Sequence, residues 1–154
     1  MNIKLLLTGK TTGEFLKEGL ADYSKRINRY SGFAVEEILV KTSSTERIHV
    51  LQQEADKIHG KLKNSDYLVL LDETGEELTS TEFASRMEQW QQKVSGNLVF
   101  VVGGAYGFHD DVYKRANYKM ALSRMTFTHQ MVRLIFVEQL YRAFTIIKNE
   151  KYHH

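Results

Sequence analysis

Three stretches of this chain are almost continuously apolar: IKLLLTG at 3–9, YLVLLD at 67–72 and LVFVVGG at 98–104. Such runs have no polar side to turn to water, so each must be covered on both faces. In a chain of 154 residues, the arrangement that does this is a mainly parallel sheet with helices on both faces. Two more strand-like runs, FAVEEILV at 33–40 and YKMALS at 118–123, bring the expected strands to five.

The intervening segments carry helical periodicity. Residues 12–28 place Phe15, Leu16, Leu20 and Tyr23 on one face, and residues 45–62 do the same with Ile48, Leu51, Ala55 and Ile58. In 79–93, Thr79 or Ser80 can cap the start, and Glu82 stands at capping-box distance from Thr79. Phe83, Met87 and Trp90 then line one side. The last helix is expected from Thr128 to Lys148. Strands alternating with helices predict one α/β domain over 1–154, with no repeat or linker. Asn64–Asp66 and Glu73–Glu76 are expected as short turns.

Composition narrows the functional classes. The chain has no cysteine, so disulfides and thiolate metal sites are excluded. No apolar run approaches the roughly 18 residues of a membrane span. MNIKLLLTGK lacks a basic start and a small-residue cleavage site, so it is expected as a first strand and not a signal peptide. A cytoplasmic location is the default expectation. No histidines have metal-ligand spacing, and no metal is expected. The net charge is only +2, but from His109 onward there are 8 Lys/Arg against 4 Asp/Glu. That bias suits a polyanionic partner.

In open α/β sheets, ligands sit beyond the carboxyl ends of strands. Three such ends are informative: LLDETG at 70–75, VVGGAYG at 101–107 and ALSRMTF at 121–127. If these strands are neighbours, their exit loops form one pocket. Gly103 and Gly104 let backbone approach a ligand, and backbone groups there could read an adenine edge. The pattern is neither G-x-G-x-x-G nor a phosphate-binding loop. The final helix is apolar around its full circumference, with Met131, Val132, Leu134, Ile135, Phe136, Val137, Leu140, Tyr141 and Phe144. A helix apolar all round is buried all round, which predicts the sheet on one side and a second subunit on the other. Glu138 and Arg142 are spaced to pair on this helix.

LDETGEELTSTEFA, VFVVGGAYGF, LSRMTFTHQMVR, EQLYRA and the terminal YHH, in that order, resemble the RlmH family. These are the pseudouridine-N3 methyltransferases of large-subunit (23S) ribosomal RNA in the SPOUT class. The resemblance also takes in LLLTGK and the helix bearing Tyr23–Arg26, so it covers essentially the whole chain. One departure is Thr128, where the family usually has proline; threonine can cap the helix instead.

The resemblance implies a SPOUT-type α/β fold with a C-terminal trefoil knot. It implies a homodimer that binds S-adenosylmethionine (SAM) in a bent form and acts on assembled ribosomes at the subunit interface. Carried over by motif, Leu71, Gly103, Gly104, Leu122, Ser123, Arg124, Met125, Thr126 and Phe127 are expected to line the cofactor site. Arg142, Tyr152 and His153 are expected to act in catalysis, with His153 in substrate contact or proton transfer near the partner's cofactor. Arg124, Lys114, Arg115 and Lys119 are candidates for gripping phosphates. His129 is expected as a helix-start residue. The competing readings are a non-enzymatic ribosome-binding factor of the same fold, a transfer-RNA methyltransferase, and a small-molecule α/β enzyme.

Overall fold

The structure is a computed structural model that describes residues 1–41 and 46–154. Five strands alternate with five helices: β1 Ile3–Thr8, α1 Glu14–Ile27, β2 Phe33–Ile38, α2 Arg47–Gly60, β3 Tyr67–Glu77, α3 Ser80–Lys93, β4 Leu98–Val102, α4 Asp110–Arg115, β5 Tyr118–Ala121 and α5 His129–Ile147. The position 45 expected to open α2 lies outside the described residues. The sheet order is β2-β1-β4-β3-β5 and every pairing is parallel. The three continuously apolar runs are the three inner strands. β2, which carries Glu36 and Glu37, takes an edge, where one side can meet water.

Alternation along the inner strands feeds two cores. Leu98, Phe100 and Val102 of β4 point to the side of α1, α3 and α5, while Val99 and Val101 point to the side of α2 and α4. The first core is aromatic: Phe100 meets Phe136 of α5 with ring centroids 4.7 Å apart and Trp90 of α3 at 6.1 Å. Full burial of each such ring is worth about 1.5–3 kcal/mol. Phe83, Met87 and Trp90 are buried as the periodicity predicts. The α3 capping box forms too: Glu82 N–H donates to Thr79 Oγ1 at 3.1 Å, and Thr79 N–H donates to the Glu82 carboxylate at 3.1 Å.

The central helix α5 is covered by more of its own chain than periodicity suggests. It lies between α1 and α3, and Leu134 comes so close to Gly19 that a Cβ there would stand 2.6 Å from it. Met131 and Ile135 stay partly open. Arg133 is completely buried without a hydrogen-bonded carboxylate. Its guanidinium donates to Thr8 O at 3.1 Å, Gly9 O at 3.0 Å, Thr11 Oγ1 at 2.8 Å and His129 O at 3.3 Å. Five N–H donors meeting four acceptors make the burial of this charge tolerable.

Several expectations need correction. Phe15 is 64% exposed and Ile48 56% exposed, so neither belongs to the core face assigned to it. The turn expected at Glu73–Glu76 is a continuation of β3, with a register shift between Leu71 and Glu76 where it pairs with β5. Gly75 permits this, since a Cβ there would lie 2.6 Å from the backbone of Lys119 and Met120. The one-turn helix α4, with His109 as its N-cap, was not foreseen.

Candidate functional site

Because β3 pairs with both β4 and β5, the three strand ends open side by side. They enclose a cavity of about 620 Å³. Leu71 and Asp72 come from β3, Gly103 to Phe108 from the β4 exit, and Leu122, Ser123 and Met125 to His129 from the β5 exit, with Val132 of α5 closing one wall. Of the residues expected at a cofactor site, Leu71, Gly103, Gly104, Leu122, Ser123, Met125, Thr126 and Phe127 line this cavity; Arg124 does not, and is exposed.

The loop conformations have local causes. Ser123 Oγ accepts from Met125 N–H at 2.9 Å, and Thr128 Oγ1 caps α5 by accepting from Met131 N–H at 3.1 Å. Gly107 sits at φ +73°, in the left-handed region, and donates its N–H to Gly104 O at 3.2 Å. The two adjacent glycines differ. A Cβ on Gly103 would meet Phe108 at 3.0 Å and Gly107 O at 3.1 Å, so its smallness serves its own loop. A Cβ on Gly104 would have only Thr8 Oγ1 near it, at 3.8 Å.

Sequence reasoning missed Asp72, Phe108 and Tyr113 on the cavity wall. Asp72 directly follows Leu71 at a strand end, which is the signal that could have exposed it. Its carboxylate accepts from Thr74 N–H at 2.8 Å, Thr74 Oγ1 at 2.5 Å and the Tyr113 hydroxyl at 2.5 Å. Burial pushes the Asp72 carboxyl up, but these hydrogen bonds outweigh it and hold the group below the ordinary carboxylate range. The Tyr113 phenol is pushed up to about 12, by burial first and then by Asp72.

The second group of expected residues lies elsewhere. Arg142, on the C-terminal half of α5, pairs with Glu138 at 2.6 Å. Tyr152 donates to the same Glu138 oxygen at 2.9 Å, lies 3.4 Å from the Tyr23 hydroxyl, and stacks edge-on against Tyr141 with centroids 4.8 Å apart. The Arg142 guanidinium lies 4.7 Å from the Tyr152 ring centroid. His153 Nδ1 is 3.1 Å from Arg142 Nη1. Arg142 can only donate, so Nδ1 is the acceptor and a neutral ring carries its proton on Nε2. The Arg142 Nε atom is buried and has no hydrogen-bond partner. Burial, with Tyr23 and Glu138, raises the Tyr152 phenol, which therefore stays protonated at neutral pH. The bond to Glu138 raises Arg142, keeping it charged. Val132 and Arg142 are ten positions apart on α5, which is about 15 Å along its axis. The structure thus assembles a cavity and a charged cluster at opposite ends of one helix.

The basic C-terminal third is less available than its charge count suggests. Arg133 is buried, Arg142 is paired, and Arg115 donates to Lys63 O at 3.1 Å, Asp66 O at 2.9 Å and Asn117 Oδ1 at 3.1 Å. Arg115 thereby holds the turn before β3 and is not free to grip phosphate. Lys119 Nζ donates to Thr74 Oγ1 at 3.3 Å. His129 opens α5 and lines the cavity. Among the described residues, no group of His, Asp and Glu could hold a metal ion, and no helix is long and apolar enough to cross a membrane.

A family profile described as "Predicted SPOUT methyltransferase" matches residues 1–153. Solved structures agree at the level of fold. A protein from Legionella pneumophila solved in complex with SAM superposes with a TM-score of 0.52 at 11% identity, covering 94% of this chain and 66% of that one. A methylase family protein from Haemophilus influenzae gives 0.52 at 13% identity over 99% and 70%. A parallel sheet with a ligand-sized cavity at its strand exits and this match make the chain a member of the SPOUT methyltransferase family. Within it, the relatives are named ribosomal RNA large subunit methyltransferase H. That of Cytophaga hutchinsonii is 53% identical over the whole of both chains, and that of Flavobacterium psychrophilum 46% identical over all of this chain and 99% of its own. At such identity over full length, this chain belongs with them.

Proposed function

We propose that this chain methylates N3 of a pseudouridine in large-subunit ribosomal RNA, as a homodimer acting on the assembled ribosome, with SAM bound in the strand-exit cavity. The observation that carries the reading is the coincidence of that cavity with Leu71, Gly103, Gly104 and the 122–127 loop, the segments that carry the family resemblance. The enzymatic reading is favoured over a non-enzymatic factor, because relatives at 53% and 46% identity are named as methyltransferases.

The residues fit the cofactor. About 620 Å³ lies within the usual range for small-molecule sites, and apolar side chains alternate with backbone groups of the Gly104–Gly107 turn. Held there by Leu71, Gly104, Leu122 and Ser123, SAM would supply an activated methyl group to N3 and leave as a neutral thioether, the N3 proton passing to a base. The chain's own share is alignment and charge. Holding the acceptor in line can supply roughly 7–11 kcal/mol. Arg142, kept charged by Glu138, stabilises the imide as its proton departs, a role that its pairing with Glu138 supports. His153 presents an Nε2–H while Arg142 occupies Nδ1, so substrate contact suits it better than proton removal.

A separation of about 15 Å along α5 between cavity and cluster suits a site shared by two chains. A second copy, packed on the open part of α5 around Met131 and Ile135, would bring one chain's cluster to the other's cavity. The trefoil knot belongs to the same reading, as does a cytoplasmic location with the ribosome as partner. The test is transfer of labelled methyl from SAM to assembled ribosomes lacking the modification, with separated large subunits and bare RNA alongside. Label at N3 of a pseudouridine on assembled ribosomes alone is expected. Failure of every substrate to take label while SAM binds would point to another RNA, and failure of SAM to bind would favour the non-enzymatic factor.

A further inference from the structure

The cavity wall holds a carboxylate that the proposed mechanism leaves without a role. Asp72 closes the apolar part of β3, and three donors fix its two oxygens: Thr74 N–H, Thr74 Oγ1 and the Tyr113 hydroxyl. An ionised carboxylate offers about four lone-pair sites, so acceptor capacity remains. Two cations stand nearby, and the charge of Lys119 favours the ionised Asp72 carboxylate without a direct hydrogen bond to it. Lys119 Nζ lies on Thr74 Oγ1 at 3.3 Å and over the Tyr113 ring at 5.6 Å, and Arg47 stacks on Tyr106 at 4.8 Å. Glu73 adds a second carboxylate to the lining.

A methyl donor of the sulfonium type and its demethylated product differ by one charge at sulfur. The donor is cationic there, and the product is a neutral thioether. We propose that Asp72 makes the cavity select the cationic donor over the neutral product. The carboxylate stabilises the sulfonium while it is charged, and the attraction ends when the methyl group departs, which favours product release. This rests on the placement of SAM in this cavity. A carboxylate in partly buried surroundings, acting on one unit charge, is worth about tenfold in affinity.

The experiment is calorimetric titration of the full-length chain with SAM and with S-adenosylhomocysteine, for wild type and Asp72→Asn. Wild type is expected to bind SAM about tenfold more tightly. Asp72→Asn is expected to bring the ratio close to one by weakening SAM alone. Equal binding of the two compounds by wild type would overturn the inference without any variant, so the test stands even if Asp72→Asn does not fold. Equal weakening of both compounds would also overturn it, since Asp72 would then hold a group that both share, such as the ribose hydroxyls. Gly104→Val tells the two failures apart. If it leaves SAM binding intact, the cavity assignment itself falls, and this inference with it.

Discussion

The two ends of α5 are built by different means. At its N-terminal end, the cavity is made from strand exits, with small and apolar residues whose positions follow from the sheet. At its C-terminal end, Arg142, Glu138, Tyr152, Tyr23 and His153 hold one another through side-chain hydrogen bonds. The first end is shaped by backbone and can hold a ligand inside one chain. The second is a part-buried charged cluster whose donors are held mainly by one another. The difference teaches that a backbone-built cavity and a side-chain-built cluster are separable in one chain, and the proposed dimer is the arrangement that would join them.

The sharpest way to break that comparison is complementation. Arg142→Ala alone is expected to lower methyl transfer by about 10²–10³-fold while leaving SAM affinity unchanged. Gly104→Val alone is expected to cut SAM affinity more than about tenfold, and methyl transfer at low SAM with it. Mixed and re-annealed, the two impaired chains should recover transfer, because a hybrid dimer holds one intact cavity beside one intact Arg142. Absence of recovery would place the cluster in service of its own chain.

Next in size is the contrast between neighbouring glycines. Gly104→Val is expected to cut SAM affinity more than about tenfold with little change in Tm, since it fills a ligand space. Gly103→Val is expected to lower Tm as well, because its side chain would meet Phe108 and Gly107. Equal thermal losses would remove the distinction.

Arg133→Met tests what ties the N-terminal end of the helix to β1 and the loop after it. It strips donors from Thr8 O, Gly9 O, Thr11 Oγ1 and His129 O, and is expected to cost about 2–4 kcal/mol in chemical denaturation. The smallest effects lie away from both ends. Thr79→Ala removes the α3 capping box and should cost about 1 kcal/mol with transfer unaffected. Asp72 gives a modest pH signature. Its folded form titrates below the ordinary carboxylate range, so its stabilisation is present above the unfolded value and is lost as pH falls through the folded one. Asp72→Asn should therefore flatten part of the acid limb of the stability curve.

Much of this was legible in the residues. The three apolar runs announced inner parallel strands, because a strand covered on both faces leaves its mark at every position. The capping box at Thr79 and Glu82 was legible because both of its bonds are local. Phe15 was misread because it adjoins Leu16, and periodicity alone does not settle which of two adjacent apolar residues faces the core. The one-turn α4 was too short to show a period.

What the sequence determined by itself was the order of the five strands and the four longer helices, the inner strands, the glycine-tipped exit and the Glu138–Arg142 pair, each a matter of spacing within a short segment. Only the tertiary structure decided that β3 lies between β4 and β5, and so that their three exits share one cavity. It alone put Asp72 under Tyr113, buried Arg133 beneath the first loop, and folded the terminal Tyr152 and His153 back onto α5. Those contacts join residues far apart in the chain, and their energies depend on distances that no local pattern encodes.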